Sequence, residues 1–321
     1  FWFQGELCIL FADTNVGKSI LAVQIGDMIS RGRVSSPHVS KGVSAASEDA
    51  LPDGRATDTL TTDSPPLKVV YFDFELTDKQ FESRVAMRDP LGDGYVAHYR
   101  FSHNFSRAEI DPETNELHGF KNFEEFLNHS LDKVIVEQNA DVLIIDNLTY
   151  LRDETENARN ALPLMKYLKE IKSRHGISIL ALAHTPKRDS AKPLGRNDLQ
   201  GSKMLINFCD SSFAIGESHK DPGVRYLKQI KARNSALIYH SENVLLGTVE
   251  KRDNLLQFAF QGTGSEREHL KAEKHDPAKA ELMEQIKEYF EAGKSIREIA
   301  ELVDISHSTV ARQIKNMGLK P

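Results

Sequence analysis

Leu7-Cys8-Ile9-Leu10-Phe11, then Ala12-Asp13-Thr14-Asn15-Val16-Gly17-Lys18-Ser19, then Ile20-Leu21-Ala22-Val23-Gln24-Ile25-Gly26-Asp27 read as a buried strand, a phosphate-binding loop and a helix. Such a loop must aim successive backbone N–H groups at phosphates where the next helix begins. Gly17 lets the backbone approach closely, Lys18 reaches the outer phosphates, and the Ser19 hydroxyl suits magnesium. A glycine usually opens this pattern, and here Ala12 stands in its place. Any positive φ at Ala12 would cost about 1 kcal/mol.

Outward from that stretch, 321 residues suffice for one large α/β domain with a small appendage. No uncharged apolar run approaches membrane-spanning length, so the expectation is a soluble protein without a membrane partner. Two cysteines, Cys8 and Cys209, make neither a metal spacing nor a disulfide framework, which suits a reducing, cytoplasmic setting. A net charge of -6 excludes a uniformly basic nucleic-acid coat, so any DNA contact has to be focused. The chain opens on Phe1, from which a lost natural N-terminus is expected.

Residues 35–66 shift to Ser, Thr, Ala, Asp, Gly and Pro, the composition of a long flexible insertion. Order returns with a strand over Leu67 to Glu75 and a helix containing Phe81 and Val85. One more strand is expected around His98 to Phe101, an amphipathic helix from Phe120 to Glu137, and a strand from Ala140 to Asp146. A helix over Asn160 to His175 and a strand from Ile177 to Ala183 ending at His184 follow, then strands over Phe208 to Ile215 and Tyr226 to Asn234. Alternating strands and helices imply a mostly parallel sheet covered on both faces, with its ligand at the carboxyl ends of the strands. The phosphate loop, Glu75, Asp146 and His184 each sit at such an end.

Asp146 fits the carboxylate that holds the water shell of Mg2+ while Ser19 holds the metal directly, although an aspartate there also suits a plain turn or cap. Asn147 follows it, so a base that aligns water with a γ-phosphate must come from elsewhere. Glu75 is well placed, and general-base action typically contributes ~10²- to 10⁴-fold; the alternative is a solvated strand-end acid. His184 suits a reporter of the γ-phosphate state, or simply a satisfied polar residue. The loop from Thr185 to Lys203 is basic, as a solvated face often is, and as a device gripping a phosphate backbone must be. On an alternating strand Lys231 and Arg233 share one face. In a ring such a pair reaches the γ-phosphate of a neighbouring subunit as arginine fingers do; otherwise it is a polar strand edge.

These residues resemble the RecA-like ATPases, in particular hexameric replicative helicases of the DnaB type and RepA-type plasmid helicases. The likeness spans residues 1–261. It rests on Ala12 to Ser19, Glu75, Asp146, the block Asp198-Leu199-Gln200-Gly201-Ser202 with Asp210, and Lys231-Ala232-Arg233. It implies a RecA-like P-loop fold binding ATP through residues 12–20 (Ala12, Asp13, Thr14, Asn15, Val16, Gly17, Lys18, Ser19, Ile20) with Mg2+ on Ser19 and Asp146. Catalysis falls to Lys18, Glu75 and His184, with Lys231 and Arg233 acting in trans within a hexamer. Lys187, Arg188, Lys192 and Arg196 are implied on channel-facing loops that contact single-stranded DNA. Ala12 for glycine, and His184 where DnaB proteins commonly carry glutamine, depart from the pattern; the histidine leans toward the RepA-type branch.

Residues 262–278 read as a linker, and Glu281 to Phe290 as an amphipathic helix. From Lys294 to Lys315 the pattern is helix, turn, helix, with Ser295 and Ser306 as caps and Ile296, Ile299, Ala300, Val303, Val310 and Ile314 at core spacing. It looks like a small DNA-binding helix-turn-helix over 279–321, in which His307, Ser308, Thr309, Arg312 and Gln313 face the major groove of duplex DNA. Its balanced charge equally suits a protein contact. The expectation is an ATP-hydrolysing, ring-forming DNA motor of a plasmid or other mobile element. The competing readings are a filament-forming recombination ATPase and an ATP-switched DNA-binding regulator without strand separation.

Overall fold

The computed structural model describes residues 1–35, 61–89, 92, 94–109, 119–121, 123–148, 158–199, 203–272 and 277–319. The chain forms two compact units, Phe1–Lys271 and Ala272–Pro321. The first unit begins with β1 (Leu7–Ala12), α1 (Lys18–Ser30), a short pair β2 (Arg33–Ser35) and β3 (Thr61–Asp63), then β4 (Val69–Asp73) and α2 (Asp78–Val85). A second pair, β5 (Ala86–Arg88) and β6 (Tyr95–His98), precedes β7 (Phe105–Glu109), α3 (Phe123–Gln138), β8 (Val142–Asp146), α4 (Ala158–His175) and β9 (Ser178–His184). The unit ends with α5 (Lys203–Phe208), β10 (Ser211–Glu217), β11 (Val224–Lys231), β12 (Val244–Arg252), β13 (Leu255–Gly264) and the single turn α6 (Glu266–His269).

A nine-stranded sheet orders these strands β13-β12-β11-β10-β1-β9-β8-β4-β7. The strands from β10 through β7 pair parallel, and β11, β12 and β13 add antiparallel to the β10 side. Every residue of β1, β4 and β8 is buried, the mark of strands covered on both faces. Two apolar layers do the covering. Leu127, Leu131, Leu164 and Leu168 from α3 and α4 meet Ile9, Phe11 and Ile145 on one face, and Leu21 and Val23 of α1 meet Leu10, Ile144 and Leu182 on the other. Because β1 lies between β9 and β10, the loop that follows Ala12 opens at the middle of the carboxyl edge. The α/β fold with a mostly parallel sheet is therefore as the alternation of strands and helices indicates.

Several boundaries differ from the sequence reading, each for a local reason. The 35–66 insertion is pinched at its base, where Arg33 pairs with Asp63 and Ser35 with Thr61; residues 36–60 lie outside the described residues. The strand expected at His98 to Phe101 is instead β6, paired antiparallel with β5, while Phe101 stacks on Phe105 at 4.7 Å. The sheet's edge strand β7, Phe-Ser-Arg-Ala-Glu, carries no apolar alternation and was invisible to that test. The expected linker at 262–278 starts inside β13 and continues through α6, where Glu266 and His269 are buried. Its mixed charges had hidden an ion pair, Glu266 to Lys228 at 2.6 Å.

The second unit contains α7 (Pro277–Glu291), α8 (Ile296–Leu302) and α9 (His307–Asn316). Ile286, Ile299, Ala300, Val310 and Ile314 are its buried core, with Ile296 and Val303 partly buried against them. Ser295 caps α8 by accepting from Glu298 N–H, and Ser306 caps α9 by accepting from Thr309 N–H. Among the described residues no helix is long and apolar enough to cross a membrane.

Candidate nucleotide site

The loop between β1 and α1 holds its shape through two residues of positive φ, Asn15 at 62° and Gly17 at 110°. Asparagine tolerates that region, and at Gly17 a Cβ would also meet the Phe258 ring at 3.0 Å. Ala12 is not among the positive-φ residues; it ends β1 as a buried strand residue, so its methyl adds no strain. Phe258 reaches the loop because the Gln24 side chain on α1 clasps its backbone, donating to Phe258 O at 3.0 Å and accepting from Phe258 N–H at 2.8 Å.

Lys18, Glu75, Asp146, Asn147 and His184 converge at this carboxyl edge although they are far apart in the chain. Lys18 Nζ donates to Ala12 O at 3.2 Å and Asp13 O at 3.0 Å, and lies 3.1 Å from His184 Nδ1. On the ring's other side the Asn147 amide nitrogen lies 2.8 Å from Nε2 and 3.1 Å from Glu75 Oε2. Burial lowers the Lys18 ammonium below its usual pKa, against the charges of Glu75, Asp146 and Asp13. Burial, then the Lys18 charge, lowers the His184 imidazole. A neutral imidazole accepts at one nitrogen only. While Lys18 donates to Nδ1, the Asn147 amide therefore cannot donate to both Nε2 and Glu75. Lys18 and Asn147 thus exclude one another as simultaneous donors to a neutral His184 ring.

Asp146 is fully buried, and Tyr71 OH donates to its Oδ2 at 2.5 Å. Among the described residues its Oδ1 is buried with no hydrogen-bond partner. Burial pushes the carboxyl up to about 6, against the pull of the Ser19 hydroxyl and of Tyr71. An orphaned carboxylate oxygen beside a hydroxyl, in a place that penalises negative charge, fits a divalent cation. Among the described residues no cluster of three or more His, Cys, Asp or Glu holds a metal by itself, so a cation here needs further oxygens from a bound phosphate or water.

The other expected residues are dispersed. Lys231 and Arg233 leave the opposite, amino edge of the sheet: Lys231 pairs with Ser212, roughly 10 Å along the strand from the loop. Lys231 Nζ donates to the carbonyls of Ile206 and Cys209, each at 2.6 Å, and Arg233 Nη1 to Asp210 Oδ1 at 3.0 Å. Lys187, Lys192 and Arg196 are exposed on the loop after β9. Arg188 departs from the expectation of an outward cation. Its side chain is only 14% exposed, donates to Lys192 O and lies 3.5 Å from Asp198 Oδ1. Of the block 198–202, Gln200, Gly201 and Ser202 lie outside the described residues. In the second unit His307, Ser308 and Arg312 are exposed on α9, with Thr309 and Gln313 half-buried. Asn147, which its place directly after Asp146 marks only as a residue other than the usual glutamate, stands between His184 and Glu75.

A parallel sheet with this loop at its centre, a strand-end aspartate and a neighbouring histidine defines a P-loop ATPase fold. A family profile described as an AAA domain matches residues 1–190, and one described as a helix-turn-helix domain matches residues 280–316. The first covers more than half of the chain, and the chain belongs to that AAA family. A KaiC-like protein from the hyperthermophilic archaeon Pyrococcus horikoshii is similar in structure, with a TM-score of 0.47 at 14% identity over 80% of this chain and 91% of that chain. No curated protein matches the chain in sequence.

Proposed function

We propose that the chain hydrolyses ATP and uses the reaction to work on DNA as a ring-forming motor. The observation that carries the reading is the convergence of Lys18, Ser19, Glu75, Asp146, Asn147 and His184 at one edge of the sheet. The backbone of residues 12–20 receives the phosphates, and Lys18 leaves its carbonyls and His184 for them. Ser19 and Asp146 would hold Mg2+, which neutralises charge on the phosphate oxygens when bound. Glu75 takes a proton from the water that attacks the γ-phosphorus, the bond to the bridging oxygen breaks, and ADP and phosphate leave.

His184 is the reporter in this scheme. Withdrawal of Lys18 toward phosphate frees Nδ1, so the ring accepts from the Asn147 amide at Nε2 and the amide serves Glu75 as well. The loop that begins at Thr185, whose N–H donates to Ala12 O at 3.1 Å, then carries the change to Lys187, Lys192 and Arg196, which meet the phosphates of single-stranded DNA. Arg188 braces that loop. Lys231 and Arg233 lie at the amino edge, and in this scheme they serve the nucleotide of a second copy in a hexamer, as the resemblance to hexameric helicases implies.

The helix-turn-helix match favours a second reading, an ATP-switched regulator that reads duplex DNA through α9 and resets by hydrolysis. Steady-state ATPase with and without single-stranded DNA, alongside unwinding of a forked duplex, tests both. Stimulation with unwinding is expected of the motor. Unstimulated turnover with site-specific duplex binding leaves the regulator.

A further inference from the structure

We propose that Arg107, on the edge strand β7, is the positioning residue for Glu75, an inference that rests on the reading of Glu75 as the base. Glu75 is exposed and lies past the end of β4, where no strand ladder holds it. Its backbone is set by the turn from Asp73 to Asp78, which one guanidinium grips beside two other holds, Phe74 N–H on Asp146 O at 2.8 Å and the Asn147 amide 3.1 Å from Glu75 Oε2. Arg107 Nε donates to Asp73 Oδ2 at 2.9 Å, Nη2 to Leu76 O at 2.6 Å, and Nη1 to Asp78 Oδ1 at 2.5 Å. Asp73 is fully buried, and its other oxygen accepts from Glu75 N–H at 3.1 Å and Leu76 N–H at 2.9 Å. The acid that Arg107 neutralises is thus the one that orders the Glu75 backbone.

Register and packing supply the reach. Tyr71 faces Arg107 across the β4–β7 pair, so the side chain runs along the sheet edge toward the turn. The guanidinium lies 4.6 Å over the Phe81 ring, and the side chain is 12% exposed. A planar cation with five donors can satisfy acceptors in several directions at once, whereas a lysine ammonium at this distance holds fewer. Because β4 is already paired on both sides by β7 and β8, the network adds little to the strand and falls on the turn. Sub-ångström placement of a base relative to its water is worth large factors in rate, so loosening this turn is expected to slow chemistry while leaving ATP binding alone.

The test is steady-state ATP hydrolysis by the full chain, with kcat and KM separated, for R107K, D78N, E75Q and the R107K/E75Q double variant, together with thermal unfolding. R107K is expected to lower kcat ~10- to 100-fold with KM within about twofold. D78N should lower kcat about threefold, and R107K should add nothing to the residual turnover of E75Q, as for two changes acting on one step. An inactive E75Q with R107K at wild-type kcat overturns the role of Arg107 and leaves Glu75 as the base. A further roughly tenfold loss in the double variant overturns it too, by making Arg107 a general support. Wild-type turnover in E75Q removes the base and the inference with it. If R107K does not fold, D78N decides, since that side chain is 87% exposed and its removal does not threaten the core; an unchanged kcat would overturn the proposal.

Discussion

The two edges of the parallel sheet hold similar side chains in opposite states. At the amino edge, Asp210 accepts from Leu7 N–H at 2.9 Å, Lys172 Nζ at 2.8 Å and Arg233 Nη1 at 3.0 Å. Glu6, also buried, accepts from Ser211 Oγ at 2.7 Å and Asn234 Nδ2 at 2.8 Å. At the carboxyl edge Asp146 has, among the described residues, one oxygen without a partner, and Lys18 and Asn147 both lie within hydrogen-bond distance of the one His184 ring. Burial pushes both aspartates up. The Leu7 N–H and the Lys172 ammonium outweigh it at Asp210 and hold that carboxyl low, whereas Asp146 is left at about 6. Buried polar groups are normally paired. The described groups of one edge satisfy one another, and those of the other leave a carboxylate oxygen open, as the proposed ATP and Mg2+ site requires.

The largest expected effects test whether the carboxyl edge is chemical. Glu75→Gln should slow ATP turnover by up to ~10⁴-fold while ATP still binds, as measured by a fluorescent ATP analogue. Unimpaired hydrolysis would reduce that edge to a nucleotide-binding fold. Arg233→Ala, at the other edge, should lower turnover ~10³-fold if it serves a second copy, and mixing with wild-type protein should restore activity to the variant's own sites. Absence of rescue would confine Arg233 to its bond with Asp210.

Smaller effects sharpen the contrast through pH. A carboxyl whose pKa is raised on folding binds its proton more tightly in the native state. Stability therefore falls as pH climbs from about 4 through about 6. For Asp146 the loss is about 3 kcal/mol. Asp146→Asn should remove that pH dependence in thermal unfolding and raise stability at neutral pH, while weakening Mg2+-dependent nucleotide binding. Asp210 has the opposite sign. Its lowered pKa contributes stability above about pH 4 that disappears as the solution is acidified. Asp210→Asn should cost about 2 kcal/mol at neutral pH, read by denaturant unfolding, since charge-assisted bonds to Leu7 and Lys172 weaken. Equal pH profiles for the two variants would erase the distinction between the edges.

Much of this was legible along the chain. Leu7 to Asp27, Val142 to Asp146 and Ile177 to His184 announce themselves by continuous apolar runs closed by polar residues, and Ser295 and Ser306 by their distance from the first core position of each helix. These are signals of short range, carried by periodicity, caps and a loop whose residues are contiguous. Edge strand β7 and the α6 turn were not legible, because each is held by a partner remote in sequence, Arg107 by Asp73 and Glu266 by Lys228. The inward Arg188 is held within its own loop by Lys192 O and Asp198, which the loop's basic composition does not mark.

The same division separates the ingredients of the site from their state. Which residues are proposed to bind phosphate follows from local order alone, since a loop and helix start present their own N–H groups wherever they fold. Whether Asp146 is paired, whether Lys18 rests on His184, and that Asn147 stands between His184 and Glu75 depended on the strand order β1-β9-β8-β4. Strand neighbours set which side chains share an edge. Charge and proton balance are properties of that neighbourhood rather than of any one segment.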